Sequence, residues 1–163
     1  MKTYAVLALG GNLGDRHETI RSAIKAIKNT EGIELVSKSP LVESFAVTEQ
    51  GVDESAPRYL NGVVAIETKL KPGQLLDEMR RIETEHGRVR LERWGSRTLD
   101  IDIITYGDLI KSGKRLTIPH PRAYQRSFVL VPWNLMDESA VLPGHGKVAT
   151  LAEQVTKDCW VVE

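Results

Sequence analysis

The sequence predicts an α+β fold, with elements ordered β-α-β-β-α-β over residues 3–106 and a C-terminal extension behind them. Three observations predict it. Apolar runs of strand length recur at 3–9 and 59–70, and an alternating run at 98–106. Two stretches with helical apolar spacing lie between them, at 16–30 and from Pro72 onward. Glycine, proline or asparagine marks each change of period.

In chain order, "TYAVLAL" (3–9) reads as a central strand buried on both faces. "GGNLGDR" stops it with three glycines and an asparagine. Ile20, Ala23, Ile24 and Ile27 then line one helix face, with Asp15 as N-cap and Gly32 able to close the end in a left-handed conformation. Residues 33–47 are expected to be extended and bent at Pro40, and the polar 51–58 to be a loop. "YLNGVVAIETKL" (59–70) is the next strand. Pro72 opens the second helix, whose stripe is Leu75, Leu76, Met79 and Ile82 and whose stop is Gly87. "TLDIDIITY" (98–106) completes a ferredoxin-like split arrangement. The extension holds strand and turn signals near 109–118, a "PHPR" loop, a short helix after Tyr124 and a "LPGHGK" turn. With no repeat or linker, a single domain over 1–163 is expected.

A chain of 163 residues can bury a core that needs no staples. Its 41% hydrophobic and 27% charged residues are those of an ordinary globular protein. Lys and Arg number 22, as do Asp and Glu, so no global charge favours nucleic acid or an anionic membrane. Any positive patch must be local. Cys159 is the sole cysteine, which excludes an intramolecular disulfide and suits a reducing compartment; beside Trp160 and Val161 it reads as packing. The apolar run Tyr4–Leu9 is too short for a secretory segment, and no stretch approaches the roughly 18 apolar residues of a membrane span. A cytoplasmic protein is expected.

The chemistry concentrates in "RWGSRTLDIDI" (93–103). Strand alternation turns Leu99, Ile101 and Ile103 one way and Asp100 and Asp102 the other, with Cβ atoms roughly 6–7 Å apart. Two carboxylates so spaced can hold hard cations such as Mg²⁺; alone, they could equally be the wet face of an edge strand. Four arginines, Arg88, Arg90, Arg93 and Arg97, precede them against the single acid Glu92. Guanidinium forks bind phosphate oxygens, and a carboxylate-held metal opposite arginines recurs in phosphoryl-type transfer. Gly87 and Gly95 bracket the stretch, as in a mobile loop that closes over a charged substrate. A solvated basic loop is the plainer alternative. "GGNLGDR" follows a strand and opens a helix but matches no phosphate-loop pattern, so it reads as a tight turn. His120, held between two prolines near Arg115, Arg122 and Arg126, could donate to phosphate. His17, His86 and His145 have no metal-ligand spacing. These residues leave open a two-metal phosphoryl-type transferase, a nucleotidyltransferase, or a non-catalytic module binding an anion or RNA.

"RWGSRTLDIDII" further resembles the signature of the 6-hydroxymethyl-7,8-dihydropterin pyrophosphokinase family: a basic residue, a small residue, Arg, then Asp-x-Asp and aliphatics. "ALGGNLGD", "YLNGVVAIET", "RRIETEHGRVR", "RLTIPHPR" and "RSFVL" extend the likeness over about residues 4–133. The resemblance implies a monomeric, Mg²⁺-dependent enzyme that passes the β,γ-diphosphate of ATP to a pterin hydroxymethyl group and releases AMP. It implies that Asp100 and Asp102 hold two Mg²⁺ ions and that Arg88 and Arg97 act from the loop, with Trp94 capping the site. Glu83, Ile103, Arg115, Leu116, Thr117, His120 and Arg126 would lie at the nucleotide. Asn61 would bond the pterin between Tyr59 and Phe128, with Ser44, Val47, Trp94 and Asp100 around it. Stacking plus an amide suits a flat, polar heterocycle. Small-molecule partners alone, with no nucleic acid or membrane, follow. The sequence departs from the family at Arg80, at Pro121 and in an arginine stretch one residue shorter.

Overall fold

The computed structural model describes residues 1–48, 51–87, 98–155 and 158–163, and backbone alone at 47–48. Strand β1 (Thr3–Gly11), helix α1 (Arg16–Lys28), β2 (Ile33–Lys38), β6 (Tyr59–Thr68), α2 (Pro72–Glu85) and β7 (Asp100–Tyr106) form the expected core. The sheet runs β2-β6-β1-β7 with every pairing antiparallel, the order of a split β-α-β arrangement. Asp15 caps α1 by accepting the Glu18 N–H at 3.2 Å. Gly32 takes φ +88, the left-handed turn anticipated after α1.

The stretch 33–47 is extended and interrupted at its proline, as expected. Pro40 splits it, and β3 (Val42–Ser44) resumes on the same edge of β6, pairing with Tyr59–Asn61. β4 (Ala46–Thr48) follows, and the expected loop at 51–58 contains β5 (Gly51–Asp53), which pairs with β4. A hairpin of that size has little apolar alternation to betray it.

The sheet is covered on both faces, which explains the continuous apolar runs of β1 and β6. On one side Ala5, Leu7, Leu9, Val64, Ile66, Ile101 and Ile103 pack under Ala23 and Ile27 of α1 and Leu75, Leu76, Met79 and Ile82 of α2. On the other, Val6, Val63 and Ile104 meet Val129, Leu130 and Trp133 of α3 (Ser127–Met136), and Val148 and Ala152 of α4 (Val148–Gln154). The extension therefore builds the second layer. Its "LPGHGK" turn joins β8 (Val141–Leu142) to β9 (Gly146–Lys147), and β10 (Cys159–Val161) adds to the outer edge of β3. Among the described residues no helix is long and apolar enough to cross a membrane.

Candidate active site

Asp100 and Asp102 stand half-buried on the α3 side of β7, while Leu99, Ile101 and Ile103 are buried under α2, as alternation requires. Cross-strand register fixes what shares their face. Gly10 of β1 pairs with Asp100 on one side and Asn61 on the other; Ala8 pairs with Asp102 and Val63. Gly10 has a specific reason to be glycine. A Cβ there would stand 2.2 Å from Asn61 Oδ1, so the amide occupies the space that a side chain would fill. This role escapes sequence reading, which takes "GGN" as a turn, because it depends on the register of β1 with β6.

Asn61 is buried, and its Nδ2 donates to Ser44 Oγ at 3.4 Å, one diagonal step along β3. Ser44 pairs with Tyr59. Ser44, Tyr59, Asn61, Asp100 and Asp102 therefore share one face of the sheet. Val47 is paired with Val52 through its backbone, and its side chain lies outside the described residues, as do Arg88, Trp94 and Arg97.

The segment beyond β7 brings cations to the carboxylates. His120 N–H donates to Ile104 O at 2.9 Å, which sets the "PHPR" loop alongside the strand. His120 Nε2 then lies 3.9 Å and Arg126 Nη1 3.8 Å from Asp102 Oδ2. The Arg126 guanidinium also stands 5.6 Å from the centre of the Phe128 ring at the start of α3. Burial pushes the His120 imidazole below its ordinary value; Asp102 opposes that shift, and Arg126 and Arg122 add to it. Burial likewise lowers the Arg126 guanidinium, against Asp102 and Asp100. A partly buried patch with imidazole, guanidinium and two carboxyl groups can receive a phosphate chain and its counter-cation together.

Other sequence candidates fall elsewhere. Glu83 is fully buried on the α2 side of the sheet, where it accepts the Ile101 N–H at 2.7 Å and Arg80 Nη1 at 2.8 Å. Arg80 also donates to Ile101 O at 3.4 Å. This pair holds the backbone between the two aspartates, so the Glu83 carboxylate meets the site through Ile101. Arg115 pairs with Asp77 of α2. Leu116 packs against the α2-side core, Ile103 is buried within it, and Thr117 Oγ1 donates to Gly113 O at 3.3 Å. The structure brings His120, Arg126 and Phe128 to the carboxylates and leaves Arg115 beside α2.

Residues 6–138 match the profile of a family described as 7,8-dihydro-6-hydroxymethylpterin-pyrophosphokinase. The chain is 44% identical over 150 residues to a 2-amino-4-hydroxy-6-hydroxymethyldihydropteridine pyrophosphokinase of Haemophilus influenzae, across 92% of this chain and 91% of that one. A Synechocystis protein of the same name is 42% identical over 159 residues, across 97% of this chain and 78% of its own. Among solved structures, wild-type Plasmodium falciparum HPPK-DHPS with pteroate shares the fold, with a TM-score of 0.69 at 15% identity. That likeness covers 94% of this chain and 42% of the longer one.

Proposed function

The chain belongs to the 7,8-dihydro-6-hydroxymethylpterin-pyrophosphokinase family, and from that premise we propose that it transfers the diphosphate of ATP to 6-hydroxymethyl-7,8-dihydropterin, releasing AMP, in folate biosynthesis. The hydroxymethyl oxygen bonds to the β-phosphorus and gives up its proton to solvent, as the bond between that phosphorus and the oxygen bridging to the α-phosphate breaks and AMP leaves with that oxygen. Neither nucleotidyl transfer nor RNA binding finds support in the relatives.

One observation carries the assignment of roles. Gly10 pairs with both Asp100 and Asn61, so the carboxylates and the buried amide lie on one face, one strand apart. In this reading Asn61 bonds the pterin edge, Tyr59 and Phe128 stack on its faces, and Ser44 and Val47 complete the pocket. His120, Arg126, Arg115, Leu116, Thr117 and Ile103 serve the nucleotide. Glu83 serves it indirectly, through Ile101. Arg88, Trp94 and Arg97 act from the arginine-rich stretch. Positioning and charge neutralisation are the main demands of such a transfer.

Asp100 and Asp102 fit Mg²⁺, because both offer hard oxygen donors on one half-buried face. We take them to hold two ions. Among the described residues no cluster of three or more Asp, Glu, His or Cys forms a closed cage. Phosphate oxygens and water would complete the coordination. Bound Mg²⁺ supplies neutralisation of phosphate charge. We take the chain to act as a single, monomeric, cytoplasmic domain on small molecules.

Incubation with ATP, MgCl₂ and 6-hydroxymethyl-7,8-dihydropterin tests the proposal. Equal amounts of AMP and diphosphorylated pterin are expected. Free pyrophosphate in their place, or no turnover of ATP, overturns it.

A further inference from the structure

Strand β10 lies outside the residues that match the family profile and has no part in the roles assigned above. It closes the free edge of β3, setting Cys159 opposite Ser44, Trp160 opposite Glu43 and Val161 opposite Val42. β3 is only three residues long, and its other edge takes Tyr59, Leu60 and Asn61 of β6. The chain entering β3 is tied as well: Leu41 N–H donates to Glu163 O at 3.1 Å, and Val162 N–H donates to Leu41 O at 2.9 Å.

Side chains repeat this clamp. The Trp160 ring meets Phe45 edge-on, with centroids 5.2 Å apart. The Arg58 guanidinium stands 5.3 Å from the centre of Phe45 and 5.2 Å from that of Trp160. Glu43 accepts Arg16 Nη2 at 2.7 Å, accepts from the Trp160 indole N–H and lies 3.6 Å from Arg58. Arg16 Nη1 also donates to Arg58 O at 2.9 Å. Arg58 immediately precedes Tyr59, and Phe45 immediately follows Ser44. The cluster therefore grips both strands at the residues flanking the acceptor wall.

We propose that β10 is a positioning element for the acceptor half of the site, with Trp160 acting through Phe45 and Arg58 to set Ser44, Tyr59 and Asn61. The inference rests on the pterin reading above. A three-residue strand at an open sheet edge is weakly held, and its unpaired groups invite fraying. Pairing the edge and seating a planar cation against two rings restricts it. The carboxylate strand β7 lies at the far side of the sheet, in the order β10-β3-β6-β1-β7. Loss of Trp160 should therefore act on the pterin before it acts on ATP.

Steady-state kinetics and equilibrium binding of 6-hydroxymethylpterin, measured on wild type, Trp160→Ala and Trp160→Phe, test this. Trp160→Ala should raise KM and Kd for the pterin about tenfold, the scale of a small misplacement, while kcat and KM for ATP stay within about twofold. Trp160→Phe should recover most of the loss. Arg58→Met, which keeps the strand pairing, should shift the same constants in the same direction, and it decides the question if Trp160→Ala does not fold. Unchanged pterin constants in a folded variant, or equal losses for ATP and pterin, overturn the inference alone. A wild type that neither binds nor turns over the pterin overturns the functional reading and this inference with it.

Discussion

Glu83 reaches from α2 through the core to accept the backbone N–H of Ile101 at 2.7 Å, and thereby holds the residue that separates Asp100 from Asp102. Arg80 donates to the same carboxylate at 2.8 Å and is itself 47% exposed on its side chain, so the pair is anchored inside and solvated outside. Removing the acceptor strands a backbone donor and leaves Arg80 without this partner. Glu83→Ala should cost about 1.5–3 kcal/mol in urea unfolding, the range for a hydrogen bond with a charged partner such as Arg80. Glu83→Gln, which keeps an oxygen for Ile101, should cost less. Equal stability of Glu83→Ala and wild type would show that this contact does not hold the strand.

Gly10→Ala should force Asn61 out of its place, because the new methyl would meet Oδ1 at 2.2 Å. Overpacking of that kind costs about 1–3 kcal/mol. The kinetic signature should be a raised KM for the pterin with KM for ATP little changed. Gly14→Ala is a control without that clash, since nothing lies within 4 Å of its Cβ position, although its φ of +66 carries a strain of its own.

Asp100→Asn and Asp102→Asn should each lower turnover by about 10²-fold or more while the circular dichroism spectrum stays native. Chelation of Mg²⁺ should silence the wild type in the same way. Near-normal activity of either variant would sink the metal assignment.

Stability should carry a pH dependence from Glu43. The hydrogen bond from Arg16 holds its carboxyl below the ordinary value of 4.5, with Trp160 and Arg58 helping and burial opposing. A carboxyl lowered by folding contributes stability that is fully present above 4.5 and is lost as pH falls through the lowered value. The difference in Tm between wild type and Glu43→Gln should be largest near neutrality and shrink below pH 4.5. A difference that grows toward acid would contradict the assignment.

Arg97 carries a prediction from sequence alone. Arg97→Ala should lower kcat by about 10²-fold and raise KM for ATP much less, as expected of a contact made mainly in the transition state. A pure affinity loss would refute it.

Periodicity is a local property, and what it determined here was local. The apolar run of β1 announced a strand covered on both faces, that of β6 announced a strand, and the stripes of α1 and α2 announced one covering layer. Alternation in "LDIDI" placed Asp100 and Asp102 together, away from Leu99 and Ile101. The arginine-rich stretch beside them pointed to phosphate chemistry, and the family signature supplied the pterin. Other features depend on partners far away in the chain. Gly10 reads as a turn residue until register sets it under Asn61. The resemblance puts Glu83 near the nucleotide, but only packing aims its carboxylate at the backbone of Ile101. Nothing in "CWVV" says that it will pair with Val42–Ser44. Such pairings are chosen by which surfaces bury each other across the whole sheet, and no stretch of sequence encodes them by itself.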